Sequence, residues 1–146
     1  MITFITKDML TPQMVDDAHR LFAQLSHRFQ QPLNELFEDE NKAPYIVGYI
    51  EDKRLLAMAS MAVYRVTSGY KGWIEDVVVD ASARGKQIGR QLVEQLIAKG
   101  KQLGLGEILL FSSSDNQAAI NLYESEGFKD KRVNVYVKAL KQIYPE

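Results

Sequence analysis

The stretch Arg84-Gly85-Lys86-Gln87-Ile88-Gly89-Arg90 puts three cations and two glycines between an apolar run, Ile74 to Val79, and a helical apolar stripe that starts at Ile88. Such a stretch can hold an anion. Glycines let backbone N–H groups approach a ligand, the cations offset its charge, and the helix that follows turns its positive end toward the same place. A phosphate-bearing cofactor suits it. The plainer reading, a turn that only joins a strand to a helix, has to be weighed against the rest of the chain. The chain contains neither the Gly-x-x-x-x-Gly-Lys-Ser/Thr loop nor the Gly-x-Gly-x-x-Gly fingerprint, which argues against a nucleotide-binding protein built on this turn.

Length and composition narrow the classes further. The 146 residues, 46% hydrophobic and 25% charged, suit one domain, taken as residues 1–146, with one core. No apolar stretch approaches the roughly 20 residues a membrane span needs. Lys7 and Asp8 interrupt the short apolar start, so no secretory signal is expected and a cytoplasmic protein is. Zero cysteines exclude disulfides, thiolate metal sites and a cysteine nucleophile, and His19 and His27 alone make a histidine-rich metal centre an unsuitable reading. A net charge of −1 argues against a nucleic-acid binder, so the cations of the glycine-containing turn are a local feature.

The elements that must position this turn follow from periodicity. Ile2 to Thr6 reads as a short strand, and Thr11-Pro12 supplies an N-cap and first-turn proline for a helix with Val15, Ala18, Leu21, Phe22 and Leu25 on one face, ending near His27 to Phe29. Gln30 to Lys42 predicts a short second helix plus loop. Tyr45 to Ile50 and Arg54 to Tyr64 flank Glu51-Asp52-Lys53 as a hairpin, and Trp73 to Asp80 predicts a third consecutive strand. Val77-Val78-Val79 lacks polar alternation, which predicts a strand covered on both faces at the centre of a sheet. Ile88, Leu92, Val93, Leu96 and Ile97 form a helical stripe ending at Gly104, and Glu107 to Phe111 is a buried strand, completing a strand–helix–strand crossover. Ser112 to Asn116 offers caps for a helix through Ala118, Ala119, Leu122 and Tyr123, stopped by Gly127. Phe128 restarts an extended segment, and Val133 to Val137 alternates like a half-buried strand near the sheet edge. The class is α/β, with a mixed sheet that is antiparallel first and parallel around the crossover.

This order of elements, with Ile74-Glu-Asp-Val-Val-Val79, Arg84 to Arg90, and Asn116 to Phe128, resembles the GNAT superfamily of acetyl-CoA-dependent N-acetyltransferases over essentially the whole chain. The resemblance implies a single-domain GNAT fold, with helices flanking the sheet and a parallel strand pair at the cofactor cleft. The superfamily's pyrophosphate loop reads Gln/Arg-x-x-Gly-x-Gly/Ala. Arg84 and Gly89 match its first and last positions, whereas Gln87 stands where the middle glycine is usual. The backbone amide of residue 87 stays available if its φ is in the helical range.

What the resemblance implies can be set against what acetyl transfer requires. The pyrophosphate of acetyl-CoA would lie on Gly85, Lys86, Gln87, Ile88, Gly89 and Arg90, with Arg84 beside it. The pantetheine arm would pair with the backbone of Val77, Val78 and Val79, where the fourth strand splays from the fifth. These valines are equally core residues. An attacking ammonium must first lose a proton, so a base is needed, and Glu75 and Asp76 are carboxylates in an apolar strand whose burial would raise their pKa. Alternation puts Glu75 on the face of Val77 and Val79 and Asp76 on the other, so only one should look into the cleft; Glu75 is the preferred base. A base acting through water, or a salt-bridged carboxylate, would explain the same residues. Tyr123 matches the superfamily tyrosine that protonates the departing thiolate, and a core tyrosine is its alternative. Asn116 is expected to touch acetyl-CoA as well as cap its helix. No metal is implied.

The acceptor is less legible. In the superfamily it is encoded around residues 25–42, 64–73 and 133–136. Glu35, Glu38, Asp39 and Glu40 could attract a cationic amine or form a solvated face, and His27 and Arg28 could favour an anionic group. The pieces Ile74 to Val79 and Arg84 to Gln87 look like glucosamine-6-phosphate N-acetyltransferases, but Leu109-Leu-Phe111 lacks their substrate-binding acidic residue. The implied partner is a small-molecule amine, not nucleic acid or membrane. Val133 to Val137 could pair two copies as a homodimer. A non-catalytic acyl-CoA sensor is the alternative function.

Overall fold

The computed structural model describes residues 1–145. Its elements run β1 (Ile2–Phe4), α1 (Pro12–Leu25), α2 (Leu33–Leu36), β2 (Tyr45–Glu51), β3 (Arg54–Val66), β4 (Gly69–Val79), α3 (Ile88–Leu103), β5 (Glu107–Leu110) and α4 (Gln117–Ser125), with 3-10 turns at Lys7–Met9 and Ala81–Ala83. The strands form one sheet in the order β1-β2-β3-β4-β5, antiparallel until the parallel β4–β5 pair. That change of direction requires a crossover, and α3 is it. The expected mixed α/β architecture is therefore present. The middle strand is β3, however, and β4, expected at the centre, stands one from the edge.

Local chemistry explains the elements. Thr11 caps α1 through its side-chain oxygen, which accepts from the Met14 N–H at 3.1 Å, with Pro12 as the first helical residue. The cap contributes about 1 kcal/mol. Asp52 and Lys53 take left-handed conformations (φ 50° and 66°), as a two-residue hairpin turn between β2 and β3 requires. A second hairpin turns at residues 67–68. Its ends, Arg65 to Lys71, are too polar to read as strands from sequence, and tertiary pairing of Tyr64 with Lys71 and Arg65 with Tyr70 forms them.

The sheet buries a face on each side. On one lie Met14, Ala18 and Leu21 of α1 with Leu33, Met58 and Val78; on the other, Ile88, Leu92, Val93 and Leu96 of α3 pack on Val47, Ala59, Met61 and Ile74. Each buried aliphatic contributes about 1.5–3 kcal/mol. At Gly100 the helix approaches β5 so closely that a Cβ would sit 2.8 Å from Ile108.

No local pattern marks Asp17, yet only 2% of it is exposed, under α1. Its carboxylate accepts from Arg54 Nη2 (2.7 Å), the Leu55 N–H (3.0 Å) and Gln13 Nε2 (3.0 Å), and pairs with Arg20. Burial pushes its pKa up, but these donors outweigh that and hold it below the usual carboxylate value. The cluster ties α1 to the β2–β3 hairpin.

The expected strand at Val133 to Val137 does not form. Among the described residues beyond Phe128 there is no regular structure, and Val133, Tyr136 and Val137 are 74%, 90% and 75% exposed. That segment pairs with no strand of the sheet, although β5 is paired on one side only, and a strand without a partner leaves its backbone to water. The tail returns to the body farther on, where the Phe29 N–H donates to the Ile143 carbonyl at 2.8 Å.

Candidate active site

Between β4, the start of α3 and α4 lies a cavity of about 1040 Å³. It exists because β4 and β5 pair only from Lys71–Glu107 to Ile74–Leu110. Past that point β4 continues as Glu75 to Val79 without a partner on this side, and all five residues line the cavity. The splayed edge expected at the valines is present. Val78 is buried against α1, and Val77 and Val79 pack partly on the α3 side.

Strict alternation fails here. On β3, Ala59 alone stands between Met58, paired with Val78, and Ser60, paired with Glu75, so one residue faces two, Asp76 and Val77. Asp76 takes φ 56°, a left-handed conformation that Asp tolerates better than most residues. The bulge shifts the phase of the strand, so Ile74, Val77 and Val79 share a side and Val78 takes the other. The expectation that only one of Glu75 and Asp76 faces the cleft is therefore corrected. Both line it. Burial raises the pKa of each; for Glu75 the Asp76 charge adds to the rise, and the charge of Arg28 opposes it for both.

The glycine-containing turn forms the opposite wall. Arg84, Gly85, Gln87, Ile88, Gly89 and Arg90 line the cavity, whereas Lys86 does not. Gly85 has φ 83°, open to glycine alone without strain. Gln87, expected in the helical range, is instead left-handed (φ 61°) and precedes α3 with no side-chain cap. The chain must reverse there to start α3, and a non-glycine residue bears the strain, about 1–2 kcal/mol. The first turn of α3 leaves its N–H groups without intrahelical partners, and the residues carrying them, Ile88 to Arg90, face the cavity.

The two arginines are differently engaged. Arg84 Nε donates to the Val79 carbonyl at 3.2 Å and is exposed. Arg90 is held by Glu126 Oε1 at 2.7 Å, Ser125 Oγ at 2.6 Å and Gln87 Oε1 at 3.0 Å. It thus bolts the start of α3 to the end of α4.

Asn116 and Tyr123 of the α4 segment complete the cavity. Asn116 Oδ1 accepts from the Ala119 N–H at 3.1 Å, so it caps α4 and lines the cavity at once. The Tyr123 ring meets Phe128 edge to face at 6.0 Å, its hydroxyl makes no hydrogen bond among the described residues, and burial raises its pKa. Gln24 and Leu25 at the end of α1 also line the cavity. Gln24 Nε2 donates to Asp80 Oδ1 at 2.8 Å, and Asp80 is held down at about 2 by hydrogen bonds from Ser82 and Gln24. No local motif marks Gln24, because its partners are 56 and 57 residues away. The acidic residues Glu35, Glu38, Asp39 and Glu40 are exposed and do not line the cavity; nor do residues 64–73, although the Trp73 ring packs at 4.5 Å on Phe111, which does. Among the described residues no cluster of three or more His, Asp or Glu could hold a metal ion, and no helix is long and apolar enough to cross a membrane.

A splayed parallel strand pair, a helix start with free amides and two carboxylates at the splay thus meet in one cavity. The Acetyltransferase (GNAT) family profile matches residues 11–128, and the chain belongs to that family. Glucosamine 6-phosphate N-acetyltransferase of Arabidopsis thaliana is 39% identical over 67 residues, 46% of this chain and 43% of that protein. A mycothiol acetyltransferase of Geodermatophilus obscurus is 40% identical over 57 residues, 39% of this chain and 18% of that protein. The chain thus spans less than half the length of these two relatives. An aminoglycoside acetyltransferase from an uncultured soil metagenomic sample shares the fold, with a TM-score of 0.80 at 18% identity over 97% of this chain and 96% of the other.

Proposed function

We propose that this protein transfers an acetyl group from acetyl-CoA to a primary amine of a small molecule, by direct attack within a ternary complex. The observation that carries the reading is the meeting of Glu75, Asp76, Tyr123 and the first turn of α3 in one cavity. The unpartnered amides of Ile88 to Arg90, with Arg84 and Gly85, suit a pyrophosphate, and the free edge of Val77 to Val79 suits the peptide-like pantetheine arm. Asn116 would touch the same ligand.

The chemistry then assigns itself to groups of this chain. Glu75 or Asp76, directly or through a water, takes a proton from the ammonium, which frees the nitrogen lone pair to bond to the acetyl carbon. The carbon–sulfur bond breaks, the leaving sulfur takes the proton of Tyr123, and the extra proton on the acylated nitrogen passes to the tyrosinate oxygen, which restores Tyr123 and leaves a neutral amide. No covalent acyl-enzyme is required, and the chain has no cysteine to form one. Such a reaction draws on the cytoplasmic acetyl-CoA pool, which is where we place the protein.

A screen scoring CoA release over amino sugars including glucosamine 6-phosphate, aminoglycosides, polyamines, amino acids and peptide N-termini tests the reading. Turnover with at least one amine is expected. Silence throughout, with acetyl-CoA still binding, would favour an acyl-CoA sensor.

We also infer that two copies pair through the tail. Val133, Val135, Tyr136, Val137 and Leu140 are all more than half exposed within eight residues, and β5 pairs on one side only, ending at an exposed Phe111. Exposed apolar side chains gathered in one short segment mark an interface. Lys129, Lys131, Arg132, Lys138 and Lys141 outnumber Asp130 and Glu146 along the tail, so at a net charge of −1 the rest of the chain carries the opposite sign. Light scattering after gel filtration should return the mass of two chains, and Val135→Lys with Val137→Lys should return one; a wild-type monomer at tens of micromolar would end the idea.

A further inference from the structure

Gln24 is the penultimate residue of α1, and its side chain reaches the segment that joins β4 to α3. Its Nε2 donates to Asp80 Oδ1 at 2.8 Å, and its Oε1 accepts from the Ala81 N–H at 3.3 Å. The two partners make opposite demands, because a carboxylate only accepts and a backbone N–H only donates. A side chain that meets both must carry a donor and an acceptor side by side at this reach, which is what a glutamine amide offers. The same partners fix which end of that amide is oxygen.

What Gln24 grips is the base of the cation-bearing turn. Asp80 follows the last residue of β4. Its N–H donates to the Leu56 carbonyl at 2.8 Å, its carbonyl accepts from the Ala83 N–H at 2.9 Å, and its Oδ2 accepts from the Ser82 N–H at 2.9 Å and from Ser82 Oγ. Residues 80–83 are thereby folded into one 3-10 turn that buries Ala83 and delivers Arg84 and Gly85 to the cavity wall. Among the described residues, the hydrogen bonds that tie this turn to the rest of the chain go to Leu56 and Gln24. Leu56 holds it to the neighbouring strand. Gln24 holds it to a different layer, since α1 packs with Met58 and Val78 on one face of the sheet while Ala83 and Ile88 pack on the other. Asp80 is a constant partner in this clamp: Ser82 first, and then Gln24, hold its carboxyl down at about 2, so at neutral pH it is an acceptor only.

We propose that Gln24 is a positioning residue for the donor: by clamping Asp80 and Ala81 it sets the direction in which Arg84, Gly85 and the amides behind them meet the pyrophosphate of acetyl-CoA. The idea rests on the acetyl-CoA reading above and adds to it a residue of α1 that lies outside the turn itself. Gln24 acts through the turn and not on the reacting atoms, so its loss should weaken donor binding and leave the chemical step alone.

An exchange of the two side chains' roles tests this. Gln24→Ala removes both bonds, and Gln24→Glu sets a carboxylate against Asp80. The Kd for acetyl-CoA, measured by calorimetry, should rise by about three- to tenfold in the first variant, the range of a lost hydrogen bond, and at least as far in the second. In the double variant Gln24→Glu with Asp80→Asn, the new carboxamide donates to the new carboxylate, which still accepts from the Ala81 N–H, while the carboxamide oxygen still accepts from Ser82. The clamp is restored with its polarity reversed, and acetyl-CoA affinity should return to within about twofold of the wild type. With any amine that turns over, kcat at saturating acetyl-CoA should stay within about twofold throughout, so that the loss appears in KM alone. Unchanged affinity in Gln24→Ala, a loss that the double variant fails to restore, or a fall in kcat at saturation would each overturn the clamp and leave acetyl transfer standing. A wild type that binds no acetyl-CoA would remove the donor reading itself, and this one with it.

Discussion

Glu75 and Asp76 are consecutive on β4, and both line one cavity because Asp76 adopts φ 56° in a bulge where Ala59 faces two residues. In a regular strand they would point to opposite faces. The bulge brings two like charges to the place where the strand loses its β5 partner, and each carboxyl is held above its ordinary pKa, first by burial.

A distinctive pH response follows. The ionised carboxylate is the base, so kcat/KM should rise with pH through a midpoint above the ordinary carboxylate range and then level off. Glu75→Gln should lower kcat by about 10²–10⁴-fold and remove that midpoint. If Asp76 is the base, Asp76→Asn should do so in its place. Stability should move the other way: a carboxyl with a raised folded pKa loses stability as pH rises from its unfolded to its folded value. Asp76→Asn, which keeps a residue tolerant of positive φ, should therefore melt no lower than the wild type at neutral pH, with any gain small because the side chain is exposed and its charge screened. Unchanged kcat in both variants would remove the pair from the chemistry.

Tyr123 lines the cavity with a hydroxyl that has no hydrogen-bond partner among the described residues and a ring braced by Phe128. Tyr123→Phe keeps the ring and removes the proton. We expect kcat to fall by at least about tenfold while acetyl-CoA affinity, measured by calorimetry, changes little. An unaltered kcat with chemistry rate-limiting would make it a core residue.

Gln87 bears left-handed strain at the start of α3. Gln87→Gly relieves it at the cost of the hydrogen bond to Arg90 and of added freedom in the unfolded chain, so its melting temperature should match or exceed the wild type's. Gln87→Val, β-branched and forced to the same φ, should melt several degrees lower. Equal melting of the two variants would show that the strain is relaxed in solution.

Asp17 is the buried end of a network that includes Arg54, Arg20, Gln13 and the Leu55 amide. Asp17→Ala leaves Arg54 without its partner and should cost about 3 kcal/mol in urea unfolding, the low end for a broken buried pair because both arginines reach solvent. Its folded pKa lies below the unfolded one, so this stability is present above the unfolded value and is lost as pH falls through the folded value. The gap between wild type and Asp17→Ala should close in acid. A constant gap would mean that packing, and not charge, holds the site.

Much of this was legible in the chain. Thr11-Pro12 marked the start of α1, the stripe from Ile88 to Leu96 marked the face of α3, and Gly85 with Gly89 marked the turn between β4 and α3, because each depends on residues within one or two turns of itself. The site residues other than Lys86 also meet at one cavity, since strand–turn–helix order alone brings Val79, Arg84 and Ile88 together.

What lay outside local reach was decided by pairing. The bulge at Asp76 depends on register with Ala59 across the sheet, and residues 65–71 become strand only because each half pairs with the other. Asp17 is buried by a hairpin 37 residues away, and the alternation of Val133 to Val137 makes no strand because it pairs with no edge of the sheet. Periodicity and capping are encoded within a few residues and survive in any context. Register, burial of charge and the partnering of an edge are contacts between distant segments, and they exist only once the tertiary structure has brought those segments together.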